Sequence, residues 1–142
     1  MTVFVSYARC DNDMAVLQDI EDLLSRQPKR ILKMLTVRAR RHFDALYSPL
    51  VDPYIDDLHH RRYGTDRHEA VAAALLSATS LLAVQSAMYG KTFWTAKEFN
   101  YASNQGMKIF ILAFDKTTID LCAPEEASSF GIQVEPHAPE LV

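Results

Sequence analysis

Two kinds of apolar pattern alternate along this chain. Thr2-Val3-Phe4-Val5-Ser6-Tyr7, Leu81-Leu82-Ala83-Val84-Gln85 and Lys108-Ile109-Phe110-Ile111-Leu112-Ala113-Phe114 are short, nearly continuous apolar runs, the pattern of strands buried on both faces. Between them apolar residues recur at helical spacing. Met14, Leu17, Ile20 and Leu24 follow Asp11 or Asp13 as N-cap, and Pro28 interrupts that helix. A second helical run extends from Lys29 to about Tyr47, with Leu32, Leu35, Phe43 and Leu46 on one side. Tyr54-Ile55-Asp56 predicts a further strand over 54–57 ending in acid. Asp66 suits the cap of a helix from Arg67 to Ala78. A last helix runs from about Thr92 to Asn104 and stops at Gly106, which tolerates the left-handed conformation of a helix end. Strands alternating with helices predict an α/β fold, a central parallel sheet with helices on both faces, in a single domain over 1–142. The tail from Asp115 carries Pro124, Pro136 and Pro139 and has room for one more short helix and strand.

Composition narrows the classes of partner. With 142 residues, 49% of them hydrophobic and 23% charged, the chain can bury one core. A net charge of −3 gives no general attraction for nucleic acid or an anionic membrane. Cys10 and Cys122 stand in no CxxC or Cys/His arrangement, so neither a zinc site nor a disulfide framework is expected. His59 and His60 are adjacent and would point opposite ways on an extended chain, a poor metal pair. From Ala70 to Gly90 no residue is charged, about the ~20 residues a membrane helix needs. Ser77, Thr79, Ser80, Gln85 and Ser86 break that run, which therefore predicts a buried helix, a turn and a buried strand, with no membrane span. The opening residues enter a strand directly, without the basic and apolar regions of a secretory leader, so a cytoplasmic location is expected. The segment Lys29 to Arg41 holds six Lys or Arg and no acid; it suits either a solvated amphipathic helix or a surface for an anion or partner.

The chemistry concentrates at two places. Trp94 and Glu98 lie four residues apart in predicted helix, so the indole and the carboxylate share one face and can serve one pocket. The first strand runs out at Ser6-Tyr7-Ala8-Arg9 into a polar loop, where open α/β folds place ligands. Together these suit a ring-bearing, glycosidic substrate. A Trp as core and a Glu as solvated face would give the same spacing, and Tyr7 can simply pack while Arg9 pairs with Asp11 or Asp13. Asp56 and Asp57 suit a ribose or a cation, or an ion pair with Arg61 or Arg62. Ser86, at a strand's C-terminal end, suits a ligand contact or a helix cap.

The order VFVSYA, YID, a polar loop with Gly64, a helix ending in LLSAT, then LLAVQS, FWTAKE and a strand after Gly106 resembles a Toll/interleukin-1 receptor (TIR) domain over roughly Val3 to Phe114. The region from Arg26 to Asp52 is longer than the family's usual link between first helix and second strand. The resemblance implies a flavodoxin-like TIR fold and, for enzymatic members, cleavage of the nicotinamide glycosidic bond of NAD by a helix-borne glutamate. Glu98 falls on that position. NAD is then substrate, with no cofactor and no metal required, because nicotinamide leaves a cationic pyridinium as a neutral molecule and needs no general acid. One carboxylate can stabilise the oxocarbenium-like transition state. Trp94 would wall the pocket, and Phe4, Ser6, Tyr7, Ala8 and Arg9, with Asp56 and Ser86, would receive the dinucleotide. The resemblance further implies self-association through the loop 59–67, whose Arg61, Arg62, Tyr63, Gly64 and Arg67 would complete the site of a neighbouring copy. It extends to standalone bacterial TIR proteins of antiphage defence, the Thoeris type, in which an ADP-ribose-derived signal activates a separate effector. Two other readings stay open: a non-catalytic TIR interaction module, and a glycosyl-transferring enzyme of the nucleoside deoxyribosyltransferase type.

Overall fold

The computed structural model describes residues 2–46, 52–59, 66–115 and 117–126. Five strands form one sheet in the order β2-β1-β3-β4-β5, namely β1 (Thr2–Ser6), β2 (Asp52–Tyr54), β3 (Ala78–Val84), β4 (Lys108–Phe114) and β5 (Ile119–Cys122). The first four are mutually parallel, as the apolar runs predict, and β1 lies between β2 and β3. This is a flavodoxin-like α/β arrangement, with the strand order reversing between β1 and β3. β5 departs from the expected parallel sheet by pairing antiparallel to β4. The cause is local. Asp115 accepts from the Thr117 and Thr118 N–H groups at 2.7 and 2.8 Å, closing a turn too short for the crossover that a parallel strand requires.

Helices α1 (Met14–Ser25), α2 (Lys29–Leu32) and α3 (Val37–Leu46) cover one face; α5 (Arg67–Ser77) and α6 (Phe93–Asn104) cover the other. The two-residue period of β1 sorts its side chains between the layers. Val3 and Val5 join Leu17, Ile20, Leu23 and Leu24 of α1, whereas Phe4 stacks on Tyr54 and packs with Ala74, Phe99 and Ala102. Ser6, on the same side as Phe4, faces α6. Caps fall at Asp13, Asp66 and Thr92, whose side chains accept from Val16, from His68 and Glu69, and from Thr95 respectively. After α6 the chain turns at Gly106 with φ +65°.

Three element boundaries differ from the sequence reading. The strand expected over 54–57 is Asp52–Tyr54, and Asp56–His59 form the short helix α4, because two acids in a first turn favour a helix N-terminus. The helix expected from Lys29 to Tyr47 breaks over 33–36. Here Leu35 bridges to Ile119, the Thr36 N–H donates to the Ile119 carbonyl at 3.0 Å and the Ile119 N–H to the Met34 carbonyl at 2.7 Å. The long segment after α1 thus crosses a whole face of the sheet and covers the edge of β5, which would otherwise expose unpaired backbone groups. The uncharged stretch 70–90 contains no separate turn between helix and strand: Ala78 ends α5 and begins β3. Only Ala70 and Ala74 of α5 are fully buried, and Leu76 is exposed. Among the described residues no helix is long and apolar enough to cross a membrane.

The basic segment has its charges partly answered inside the fold. Arg30 pairs with Asp19 and Asp22 at 2.9 and 3.1 Å. Arg38 is buried and forks onto Asp120 of β5, with its Nε 3.1 Å from Oδ1 and its Nη2 on Oδ2. Thr36 links the same two elements, donating to Asp120 at 2.8 Å while accepting from the Ala39 N–H to cap α3. Burial pushes the Asp120 carboxyl up, but the hydrogen bonds from Arg38 and Thr36 outweigh it and hold it below its ordinary value. Arg38→Ala should therefore cost about 2 to 3 kcal/mol in urea denaturation, since it strands Asp120 against the sheet edge. Exposed Arg41→Ala should stay within ~0.5 kcal/mol. Equal losses in the two variants would show the Arg38 fork to carry no stability.

Candidate active site

Parallel strands deliver their C-terminal ends to one edge of the sheet, and a ligand site is expected where the strand order reverses. A cavity of about 560 Å³ lies there, within the ordinary size range for small-molecule sites. Tyr7, Arg9 and Cys10 line it from the exit of β1, and Asp56 from α4. His68 and Val71 come from α5, with Arg67 at its start; Trp94 and Glu98 project from α6 behind the capping Thr92. The helical spacing of Trp94 and Glu98 thus brings both to one cavity. The indole is partly exposed, 5.1 Å from the His68 ring, with the Lys97 ammonium 5.4 Å from its centre.

Glu98 is buried although it carries a carboxyl group. Ser6 donates to its Oε1 at 2.8 Å, and the Tyr89 hydroxyl donates to Ser6 Oγ at 2.8 Å. Burial pushes the Glu98 carboxyl up to about 8; the Ser6 hydrogen bond opposes this and the nearby Asp56 charge adds to it. A carboxyl displaced this far above its ordinary range inside a cleft makes Glu98 a candidate functional group. Tyr89 is also displaced strongly upward by burial, so it acts as a neutral donor.

The rim is a cluster of paired charges. Arg9 reaches Asp57 at 2.7 Å and Asp56 at 3.4 Å, while Arg67 reaches Asp56 at 3.2 Å and Asp57 at 3.4 Å. Tyr7 donates to Asp57 Oδ2 at 2.6 Å and accepts from the Asp57 N–H at 2.9 Å; burial first, and then this carboxylate, push its phenol far up. His59 anchors α4 from behind. Its Nδ1 accepts from the Ile55 N–H at 2.9 Å and its Nε2 meets Glu21 of α1. Asp11 ties the two loops flanking the site, accepting from Ser86 Oγ and the Met88 N–H, each at 2.7 Å. The Ser86 and Met88 hydrogen bonds lower its pKa.

The candidates from sequence separate accordingly. Tyr7, Arg9, Asp56, Trp94 and Glu98 meet at the cavity, and Ser6 stands directly behind Glu98. Phe4 and Ala8 are buried and do not line the cavity, and Ser86 holds Asp11 rather than capping a helix. Arg9 pairs with Asp56 and Asp57, not with Asp11 or Asp13, because the turn after β1 carries it toward α4. The partners expected for Asp56 and Asp57, Arg61 and Arg62, lie outside the described residues, as do Tyr63 and Gly64. Tyr89 carries no motif that marks it in the sequence; its place in the loop after β3, at the edge where parallel strands end, is the one signal pointing to it. Among the described residues no group of three or more His, Cys, Asp or Glu could hold a metal ion.

Glu98 supplies a test independent of any substrate. Its raised pKa in the folded protein means that its contribution to stability is complete below the unfolded value near 4.5 and is lost as pH rises through about 8. Glu98→Gln, which cannot ionise, should therefore stabilise the fold by on the order of 5 kcal/mol at pH 9 and by little at pH 4. Denaturation curves across that range check the sign; a variant less stable at pH 9 would contradict a buried, reluctantly ionised carboxyl.

Comparison with protein-family models, with curated proteins and with solved structures gives no match to this chain.

Proposed function

We propose that this chain is a TIR-like enzyme that cleaves the nicotinamide glycosidic bond of NAD, hydrolysing it or converting it into an ADP-ribose-derived signal. The observation that carries the reading is the buried Glu98 carboxyl, opening onto the same cavity as Trp94 at the sheet's ligand-binding edge. The cationic pyridinium, brought beside Glu98 in a site of low polarity, offsets the cost of ionising it and draws the carboxylate into its charged form. As the glycosidic bond breaks, positive charge passes to the ribose, and the carboxylate stabilises it without having to donate a proton. Trp94 offers a flat face for the departing ring, and Asp56 an acceptor for ribose hydroxyls. Of the substrate contacts expected from sequence, Phe4, Ala8 and Ser86 have no part in this reading. A role in antiphage defence through a separate effector, and a cytoplasmic setting, belong to the same proposal by analogy.

One observation favours a second reading. A carboxyl with a pKa near 8 is neutral at pH 7 and could protonate a leaving nucleobase, as a nucleoside glycosyl-transferring enzyme would use it. The pH profile separates the two. If Glu98 acts as carboxylate, kcat/KM for NAD climbs with pH and levels off only above about 8; if it acts as acid, kcat/KM for nucleosides falls above about 8. Purified chain should release nicotinamide from NAD, and Glu98→Gln should lower the rate a hundredfold or more, about 3 kcal/mol of lost charge stabilisation. Release of bases from nucleosides but not of nicotinamide would favour the second reading, and turnover of neither the interaction module.

The proposal includes self-association through the loop 59–67. A head-to-tail contact of that kind need not be stable in the resting protein. Specific activity should therefore rise with protein concentration, and Gly64→Glu should abolish the rise. Constant specific activity across a wide dilution series would mean that one chain holds a complete site.

A further inference from the structure

Tyr89 does not line the cavity, yet it is joined to it by an unbroken line of buried hydroxyls. Its Oη donates to Ser6 Oγ at 2.8 Å, and Ser6 Oγ donates to Glu98 Oε1 at 2.8 Å. All three residues are more than nine-tenths buried. The direction of the chain follows from what each group can do. A buried, neutral phenol has one proton and must spend it; Ser6 Oγ takes it. Ser6 then holds a single proton of its own, and Glu98 accepts it. The tyrosine cannot swing away, because its ring packs edge-on against Phe99, the residue after Glu98, and its N–H donates to the Ser86 carbonyl at 3.2 Å. Among the described residues none donates a hydrogen bond to Glu98 Oε2.

We infer that Tyr89 is a positioning residue for this site: acting through Ser6, it fixes the Glu98 carboxyl with Oε1 held against β1 and leaves Oε2 for the ligand. A serine alone could rotate its proton away from Glu98 and let the carboxyl turn with it. Tyr89 occupies the acceptor side of Ser6 and removes that freedom, and its donation polarises the Ser6 O–H into a stronger donor toward the carboxylate. Tyr89 touches no substrate in this scheme, so its effect must pass entirely through Ser6.

That last condition makes the inference testable without any substrate. The Glu98 carboxyl carbon, labelled with carbon-13, is titrated by NMR in the whole chain and in Tyr89→Phe, Ser6→Ala and the double variant. The other charged or titratable groups around Glu98, Arg9 and Tyr7 beyond β1, Asp56 on α4, and Arg67 and His68 of α5, are the same in all four. Loss of Ser6 should move the Glu98 midpoint up by about one unit. Tyr89→Phe keeps the ring and should move it up by roughly 0.3 unit through lost polarisation, and in the Ser6→Ala background it should add nothing. A Tyr89→Phe variant that leaves the midpoint unmoved, or moves it equally with and without Ser6, would overturn the inference. If Tyr89→Phe fails to fold, fluorotyrosine placed at position 89, a stronger donor of nearly the same shape, should move the midpoint down; no movement would overturn it equally.

The activity arm rests on the proposed function. With NAD as substrate, Tyr89→Phe should lower kcat several-fold and leave KM unchanged, because the carboxyl is misaligned while the cavity wall is intact. A midpoint that moves as described in a protein that releases no nicotinamide would leave the positioning role standing and remove the NAD reading. Normal nicotinamide release in Tyr89→Phe, with an unmoved midpoint, would do the reverse.

Discussion

β1 is covered on both faces, so each side chain from Val3 to Ser6 must be satisfied inside the protein. Val3 and Val5 meet this condition against α1, and Phe4 does so against Tyr54 and the α5–α6 layer. Ser6 cannot meet it by packing alone, because its hydroxyl would be left without a partner at a cost of a few kcal/mol. Glu98 and Tyr89 supply the partners. One hydroxyl on a central strand, a carboxyl from α6 and a phenol from the loop after β3 thus meet in a single hydrogen-bonded line, at the end of the sheet where the strand order reverses.

The same contact sets the electrostatic character of the cavity. A carboxyl lodged behind an aromatic wall and against a strand loses its hydration, and one hydroxyl donor does not replace it. Glu98 is left with a raised pKa and a latent charge, most cheaply expressed when a cation arrives. The Arg9 and Arg67 guanidinium groups on the rim do not serve this purpose because Asp56 and Asp57 already engage them. Reserving the arginines for the aspartates also holds α4 and the start of α5 beside the exit of β1, so the rim is built by charges and the interior by one reluctant carboxyl.

At the other edge of the sheet the constraint is backbone pairing. A tight turn at Asp115 makes β5 antiparallel and presents a strand edge, which Met34, Leu35 and Thr36 cover. The Arg38–Asp120 fork then fixes α3 over that edge. The length of the segment between α1 and β2 has a physical reason in this arrangement, since it must cross the face of the sheet to reach β5 and return to β2 on the opposite side.

Hydrophobic period marked β1, β3, β4 and the helices α1, α5 and α6, because a buried parallel strand and an amphipathic helix each demand a pattern readable in a short window, while side-chain chemistry offered Asp66 as a cap, Gly106 as a helix end and Asp11 or Asp13 for α1, of which the structure uses Asp13. Helical spacing was likewise enough to place Trp94 and Glu98 on one face. The break in the second helix was not legible, because it depends on backbone groups of β5 more than eighty residues away. Nor were the partners of Arg9, the burial of Arg38 or the role of Tyr89, since each rests on contacts between segments distant in sequence. Even the ionisation of Glu98 belongs to this second class. The sequence names a carboxylate on a helix face, but only the packing of α6 onto β1 decides that the carboxylate loses its water and that a serine and a tyrosine stand behind it.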